Sequence, residues 1–285
     1  MKEFQLEIIR GIQSISNSFL DKVAQIVTFL GEETIVIIII GLFYYVFNKE
    51  FGKKLAYVVL TSGLVNGVVK NFVKAPRPIG EEGIRSLRTE TATGYSFPSG
   101  HTQNAAALYS SVVRYSKKKV WPKIIVAVII VLVALSRLYL GVHYPVDVIV
   151  GGVLGVAISI IGMLLYDKVK TNTLFLVTAG IMVPFVVIFA IQNNPLFNDF
   201  FKMFGMFCGA TLAIMFEARY VNFDNKSVWW KRLIRIVVGL ALIVGIQQGL
   251  KLVFPDVFYC HIIRYFLMAF VGLGLWPYLF KKLHL

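Results

Sequence analysis

Long apolar runs separated by short polar stretches fill this sequence from about residue 32 to its end, and they constrain the fold more than any other feature. A helix needs roughly 20 mostly apolar residues to cross a bilayer. The sequence predicts nine such spans, near 32–48, 52–72, 99–116, 121–140, 144–166, 172–191, 199–218, 232–253 and 259–280. With 57% hydrophobic and 15% charged residues, the chain is too apolar for an ordinary soluble domain. The expected fold is an all-α, polytopic integral membrane helical bundle. A formal charge of +14 would point to nucleic acid in a soluble protein. Here the Lys and Arg residues cluster between the apolar runs, so they report membrane orientation, and no nucleic-acid partner is expected.

Counting the loops gives that orientation. Alternate loops (49–54, 114–123 with its basic turn RYSKKKVWPK, 166–171, 217–235 and 281–285) hold 17 Lys and Arg residues, which marks their side as cytoplasmic. The opposite side holds 12, of which six lie in the stretches 70–98 and 136–147. The outer surface is therefore basic mainly at two stretches. Residues 1–31 carry charges at Lys2, Glu3, Glu7 and Arg10 that break any signal-peptide core, and they read as an interfacial helical segment. Within it, residues 18–30 are expected at the surface. No repeat or linker divides the apolar remainder of the chain, so residues 32–166 read as a membrane core and 167–285 as additional spans. Cys208 and Cys260 have no metal-ligand or disulfide spacing and are expected to pack.

Three blocks fall at the outer surface. In KNFVKAPRP, Lys70 and Arg77 stand seven apart, so one helical face would let both meet one anion if the second span persists that far. In Pro98-Ser99-Gly100-His101, a helix start offers N–H groups to phosphate oxygens and holds His101 beside them. In SRLYLGVHYPVD, Arg137 precedes His143 by six residues and Asp147 follows it by four. On a helix starting near Tyr144 and Pro145, Asp147 reaches back one turn to the His143 ring, fixing its tautomer and stabilising positive charge. The 34 residues between His101 and Ser136 suffice for one pass inward and one back, which returns both histidines to one surface.

Together these blocks resemble the signature of the type 2 phosphatidic acid phosphatase (PAP2) superfamily, over roughly residues 15–166. The resemblance implies a metal-independent membrane phosphatase with no cofactor. By similarity, His143 is the nucleophile that forms a phosphohistidine, Asp147 orients it, and His101 protonates the leaving oxygen. Lys70, Arg77, Ser99, Gly100 and Arg137 are implied to hold the phosphoryl oxygens. The family's membrane members usually have six core helices, and the charged stretch before residue 32 does not look able to supply the first of them.

The expected activity is hydrolysis of a lipid phosphate or diphosphate in a plasma membrane, with the site on the extracytoplasmic side. Polyprenyl diphosphate, phosphatidylglycerol phosphate and phosphatidic acid are the expected substrate classes. Two rival readings use the same residues: a phosphotransferase delivering to an alcohol, and a lipid-phosphate transporter or binding protein. Lys74, Arg85 and Arg88 read as solvated loop charges sharing their loop with Glu81, Glu82 and Glu90, and His261 with Arg264 reads as an interfacial anchor.

Overall fold

The computed structural model describes residues 2–115 and 120–285, so the central part of the predicted basic turn at 114–123 lies outside the described residues. Among the described residues the structure is helical and has no strand. In chain order the helices are α1 (Lys2–Gln13), α2 (Ser18–Thr28), α3 (Glu33–Gly41), α4 (Lys49–Val73), α5 (Gly100–Tyr115), α6 (Trp121–Tyr139), α7 (Pro145–Lys168), α8 (Thr171–Gln192), α9 (Asn198–Phe216), α10 (Trp229–Val253), α11 (Phe258–Phe270) and α12 (Trp276–Lys282). Among the described residues, seven segments are long and apolar enough to cross a membrane: α4, α6, α7, α8, Pro195–Val221, α10 and Phe258–Lys282.

Two of the nine expected spans do not form one long straight helix among the described residues. The run at 32–48 forms α3 and the wider turn Leu42–Phe47; Ser18–Gly31 and Glu33–Phe47 together pass as one span bent by 48°. Residues 18–30, expected at the surface, form α2 and most of the tight turn that follows it. Asp21 made them look too charged for a core helix, yet its carboxylate is neutralised by Arg85 at 2.7 and 2.6 Å and accepts from Tyr139 Oη at 2.6 Å. The run at 99–116 forms α5, Gly100–Tyr115, which runs up to the end of the described residues there. It carries buried polar side chains, of which Gln103 accepts at Oε1 from Asn66 at 2.8 Å.

The chain folds as two compact units that interleave in sequence, Met1–Val36 with Val65–Ile161 and Ile37–Leu64 with Gly162–Leu285. In the first unit, α1 buries Leu6 and Ile9 against Tyr144 and Ile84, so the amphipathic N-terminal helix turns its apolar side to protein. Ala24 of α2 packs with Tyr139, Leu140 and Val142 at the end of α6. Burying such side chains stabilises each contact by about 1.5–3 kcal/mol per large apolar group. Gln13 ties the loops together, donating to the carbonyls of Arg85 and Tyr139 at 2.7 and 2.8 Å and accepting from Arg85 N at 3.0 Å. These contacts fix the turn that carries His143.

In the second unit, Tyr44, Tyr45, Phe223, Ile236, Trp276 and Phe280 form a buried aromatic cluster. Glu217 is fully buried and paired with Lys49 at 2.9 Å and Lys53 at 2.8 Å, so the charges compensate one another. His261 and Arg264 are buried in the protein, and the exposed Asp256 lies 2.8 Å from His261 Nε2. Cys260 is buried and Cys208 half-buried, both as free thiols.

Candidate active site

Backbone geometry brings the three sequence blocks together in the first unit. Helix α4 ends at Val73, where Lys74 adopts a left-handed conformation, so Lys70 and Arg77 do not share a helical face. Arg77 instead projects from the loop, held by the carbonyls of Gly94 (3.1 Å), Thr93 (2.6 Å) and Val142 (2.9 Å). Lys70 Nζ donates to the carbonyls of Tyr95 and Ser96 at 2.6 and 3.3 Å. The second and third blocks are joined directly: Ser99 N donates to the Asp147 carbonyl at 2.9 Å. That bond removes Ser99 N–H from the set expected to cradle phosphate, leaving the Gly100 and His101 amides of the first turn in that position. The Ser99 hydroxyl accepts from Thr102 Oγ1 at 3.1 Å.

His143 lies at the centre, 1% exposed. Arg77 Nη1 is 3.1 Å from its Nε2. Asp147 Oδ2 and Ser96 Oγ are each 3.3 Å from its Nδ1. A guanidinium can only donate, so Nε2 holds the lone pair and the ring proton sits on Nδ1, toward Asp147. Asp147 Oδ2 also accepts from Ser96 Oγ at 2.5 Å and from Tyr144 N at 2.8 Å. Burial, with Arg77, Lys70 and Arg137 close by, pushes the His143 imidazole well below its ordinary pKa, so the ring is neutral around pH 7.

Arg137 is wholly buried at the end of α6. Its Nη1 donates to Thr28 Oγ1 at 2.8 Å, while its Nε and Nη2 have no hydrogen-bond partner among the described residues. Two buried N–H-bearing nitrogens without a protein acceptor suit an anion. His101 stands at the start of α5, its Nε2 at 3.9 Å from Glu32 Oε1. Glu32 in turn meets Arg88 Nη2 at 2.6 Å. Arg88 is thus not a solvated loop charge, and Arg85 pairs with Asp21. Sequence reasoning missed Ser96, Thr28, Glu32 and Arg88 as neighbours of the site. Only their polarity inside or beside apolar stretches marked them. A cavity of about 310 Å³ opens beside Asp147, lined by Lys2, Val73, Pro76, Phe97, Tyr144 and Val146 among others.

A buried neutral imidazole backed by a carboxylate and ringed by guanidinium and ammonium groups is suited to attack on a phosphoryl group. A family model for the PAP2 superfamily matches residues 51–171, and one for the transmembrane extension of PAP2-superfamily phosphatases matches residues 201–285. Phosphatidylglycerophosphatase B of Bacillus subtilis (strain 168) is 35% identical over 170 residues, which cover 55% of this chain and 80% of that protein.

The chain belongs to the PAP2 superfamily.

Undecaprenyl-diphosphatase BcrC of the same Bacillus strain is 32% identical over 167 residues, covering 56% of this chain and 81% of that protein. The crystal structure of the first transmembrane PAP2 type phosphatidylglycerolphosphate phosphatase from Bacillus subtilis is 30% identical, with a TM-score of 0.52 over 59% of this chain and 87% of that one. This PAP2 protein is a multi-span membrane hydrolase whose relatives are lipid phosphatases. The additional C-terminal spans, outside the signature, correspond in large part to the family's transmembrane extension.

Proposed function

We propose that this PAP2 phosphatase removes a terminal phosphate from a membrane lipid through a phosphohistidine on His143, at a site on the extracytoplasmic face of a plasma membrane. The observation that carries the reading is the pairing of the two His143 nitrogens, Nε2 with Arg77 and Nδ1 with Asp147 and Ser96. In the first step the Nε2 lone pair bonds to phosphorus as the bond from phosphorus to the ester or anhydride oxygen breaks. Arg77 moves its N–H groups from Nε2 onto the phosphoryl oxygens, and Arg137, Lys70 and the first amides of α5 complete the cradle. His101 delivers a proton to the departing oxygen. Asp147 stabilises the positive charge that develops on the His143 ring. In the second step His101 takes a proton from water, the water oxygen bonds to phosphorus, and the bond to Nε2 breaks with its electron pair returning to the ring.

Spontaneous cleavage of phosphate monoesters is so slow that enzymes accelerate it by up to ~10²¹-fold, which explains the concentration of cations at one point. The apolar cavity beside Asp147 supports an amphiphilic substrate, with the lipid tail resting against Val73, Pro76 and Phe97. The names of the relatives put phosphatidylglycerol phosphate and a polyprenyl diphosphate first among the substrates to test, followed by phosphatidic acid.

The test is phosphate release by detergent-purified protein from each of these lipids, with a chelator present, comparing the parent with His143→Ala. Release by the parent is expected, with loss in the variant by at least ~10³-fold. Equal rates would remove His143 from the chemistry. If release from the parent needs an added acceptor alcohol, the protein is a transferase. No turnover under either condition would leave a lipid-binding or transport role.

A further inference from the structure

The break between α2 and α3 touches two of the signature residues, although it lies outside the residues that the family model matches. At this break a tight turn, Phe29–Gly31, is docked on the first turns of α5. Gly31 packs so closely that a Cβ there would sit 2.5 Å from the His101 carbonyl oxygen, and Tyr109 Oη donates to the Leu30 carbonyl at 2.9 Å. Thr28 orients Arg137 from one side of the turn. From the other side Glu32 presents its carboxylate to His101 Nε2 at 3.9 Å, with both side chains largely buried.

Glu32 is itself held in place. Arg88 lies 2.6 Å from Glu32 Oε1, stacks its guanidinium 4.3 Å from the centre of the Phe29 ring, and donates to the Gln25 carbonyl at 3.2 Å. A carboxylate fixed by an arginine on one side and facing an imidazole on the other favours the protonated imidazole. Burial and the nearby Arg137 and Arg77 have the opposite effect and hold the His101 imidazole down at about 4 when no phosphate is bound, so an acid at this point requires the negative charge of Glu32 together with that of the arriving phosphate. At 3.9 Å the carboxylate is beyond hydrogen-bond distance of His101 Nε2, so it acts on that nitrogen through charge and does not take up its proton.

We propose that Glu32, clamped by Arg88 at the break between α2 and α3, is the positioning residue that favours the protonated form of His101 once a phosphate has occupied the neighbouring cations. The proposal rests on the reading of His101 as the general acid. As the bond from phosphorus to oxygen breaks, its electron pair goes to the departing oxygen and the Nε2 proton of His101 follows. His101 is left neutral beside the Glu32 carboxylate, ready to take the proton of the incoming water.

The role is tested through the leaving group. Two phosphate monoesters carry the same alkyl tail, one releasing an alcohol and the other a nitrophenol, whose oxygen leaves without needing a proton. The ratio of their kcat/KM values is compared in the parent, Glu32→Gln and His101→Ala; a ratio taken within one preparation is insensitive to its folded fraction. Glu32→Gln is expected to lose at least ~10-fold on the alcohol ester and less than ~3-fold on the nitrophenyl ester, with His101→Ala showing the same selectivity more strongly. If Glu32→Gln does not fold, Glu32→Asp, which keeps the charge but withdraws it, is expected to show the same selectivity at about 3-fold. Selective loss in His101→Ala with equal loss, or none, on both esters in the Glu32 variant would overturn the role of Glu32 alone. Equal loss on both esters in His101→Ala would overturn the reading of His101 as the acid, and the role of Glu32 with it.

Discussion

Arg77 and His143 face each other at 3.1 Å, and the guanidinium occupies the one ring nitrogen that has a lone pair to offer. Two groups that can both carry positive charge are here held together because the imidazole is neutral. The arrangement places the cation where the phosphoryl group must arrive, so the charge that discourages protonation of His143 is the same charge that would receive the substrate.

The first prediction concerns that neutral ring. Burial and the neighbouring cations lower the His143 pKa, so it remains neutral well below the ordinary value of about 6.5. Ring carbon shifts of the four histidines, followed by NMR from pH 8 downward, are expected to show His143 still neutral when an exposed histidine is half protonated. Arg77→Ala removes a positive neighbour, so the His143 pKa should rise toward the ordinary value without reaching it, since burial remains. A His143 signal titrating near 6.5 in the parent would contradict the geometry.

Ser96 is the second. Its hydroxyl lies between His143 Nδ1 at 3.3 Å and Asp147 Oδ2 at 2.5 Å, completely buried. Replacing it by Ala removes a charge-assisted hydrogen bond worth about 1.5–3 kcal/mol. Phosphate release should fall by about 10–100-fold in kcat. Asp147→Asn should fall further, by about 10²–10⁴-fold, because the ring then loses its charge partner as well as its orienting acceptor. Unchanged turnover in Ser96→Ala would show that Asp147 is held well enough by Tyr144 N alone.

Gly141 and Gln13 supply a third, on stability. Gly141 has φ +66°, and a Cβ there would collide with the Arg85 carbonyl. Gly141→Ala should destabilise the protein by more than about 1–2 kcal/mol, the cost of the left-handed conformation alone. Gln13→Ala should cost about 1–3 kcal/mol by leaving backbone groups of Arg85 and Tyr139 unpaired. Thermal unfolding in detergent measures both. Activity should fall in parallel, because the turn 140–144 carries His143.

In the second unit the fourth prediction is Glu217→Gln. It leaves the ammonium groups of Lys49 and Lys53, whose side chains are 12% and 6% exposed, without their shared carboxylate. Removing one member of a buried ion cluster costs about 3–5 kcal/mol. A loss of less than ~1 kcal/mol on denaturation would mean that water reaches the lysines.

What could be read from the sequence depended on whether a feature is local. Lys70, Arg77, Ser99, His101, Arg137, His143 and Asp147 stand at fixed spacings, and the i to i+4 relation of His143 to Asp147 is a property of one helix turn, so that pair was legible in advance. Ser96 was not, because it reaches His143 only through the path of the loop between α4 and α5. Glu32 and Arg88 are far apart in sequence, and Arg88 read as a solvated loop charge; only the fold sets the two side by side. Asp21 likewise reads as an isolated charge in sequence, and in the fold it is paired with Arg85 and accepts from Tyr139 Oη. The run at 99–116 was marked along with the long spans, but the buried polar contacts of α5, such as Gln103 with Asn66 and Ser111 with Ser159, were not legible because their partners lie on other helices.

The most direct measurement is capture of the phosphorylated enzyme. Detergent-purified protein is mixed with a lipid phosphate labelled in its phosphoryl group, quenched in alkali within one turnover, and digested for mapping by mass spectrometry. A phosphohistidine mechanism predicts an alkali-stable, acid-labile phosphoryl group on the peptide containing His143, absent from His143→Ala. Phosphate released at the parent rate by His143→Ala, or a phosphoryl group found on another residue, would contradict it.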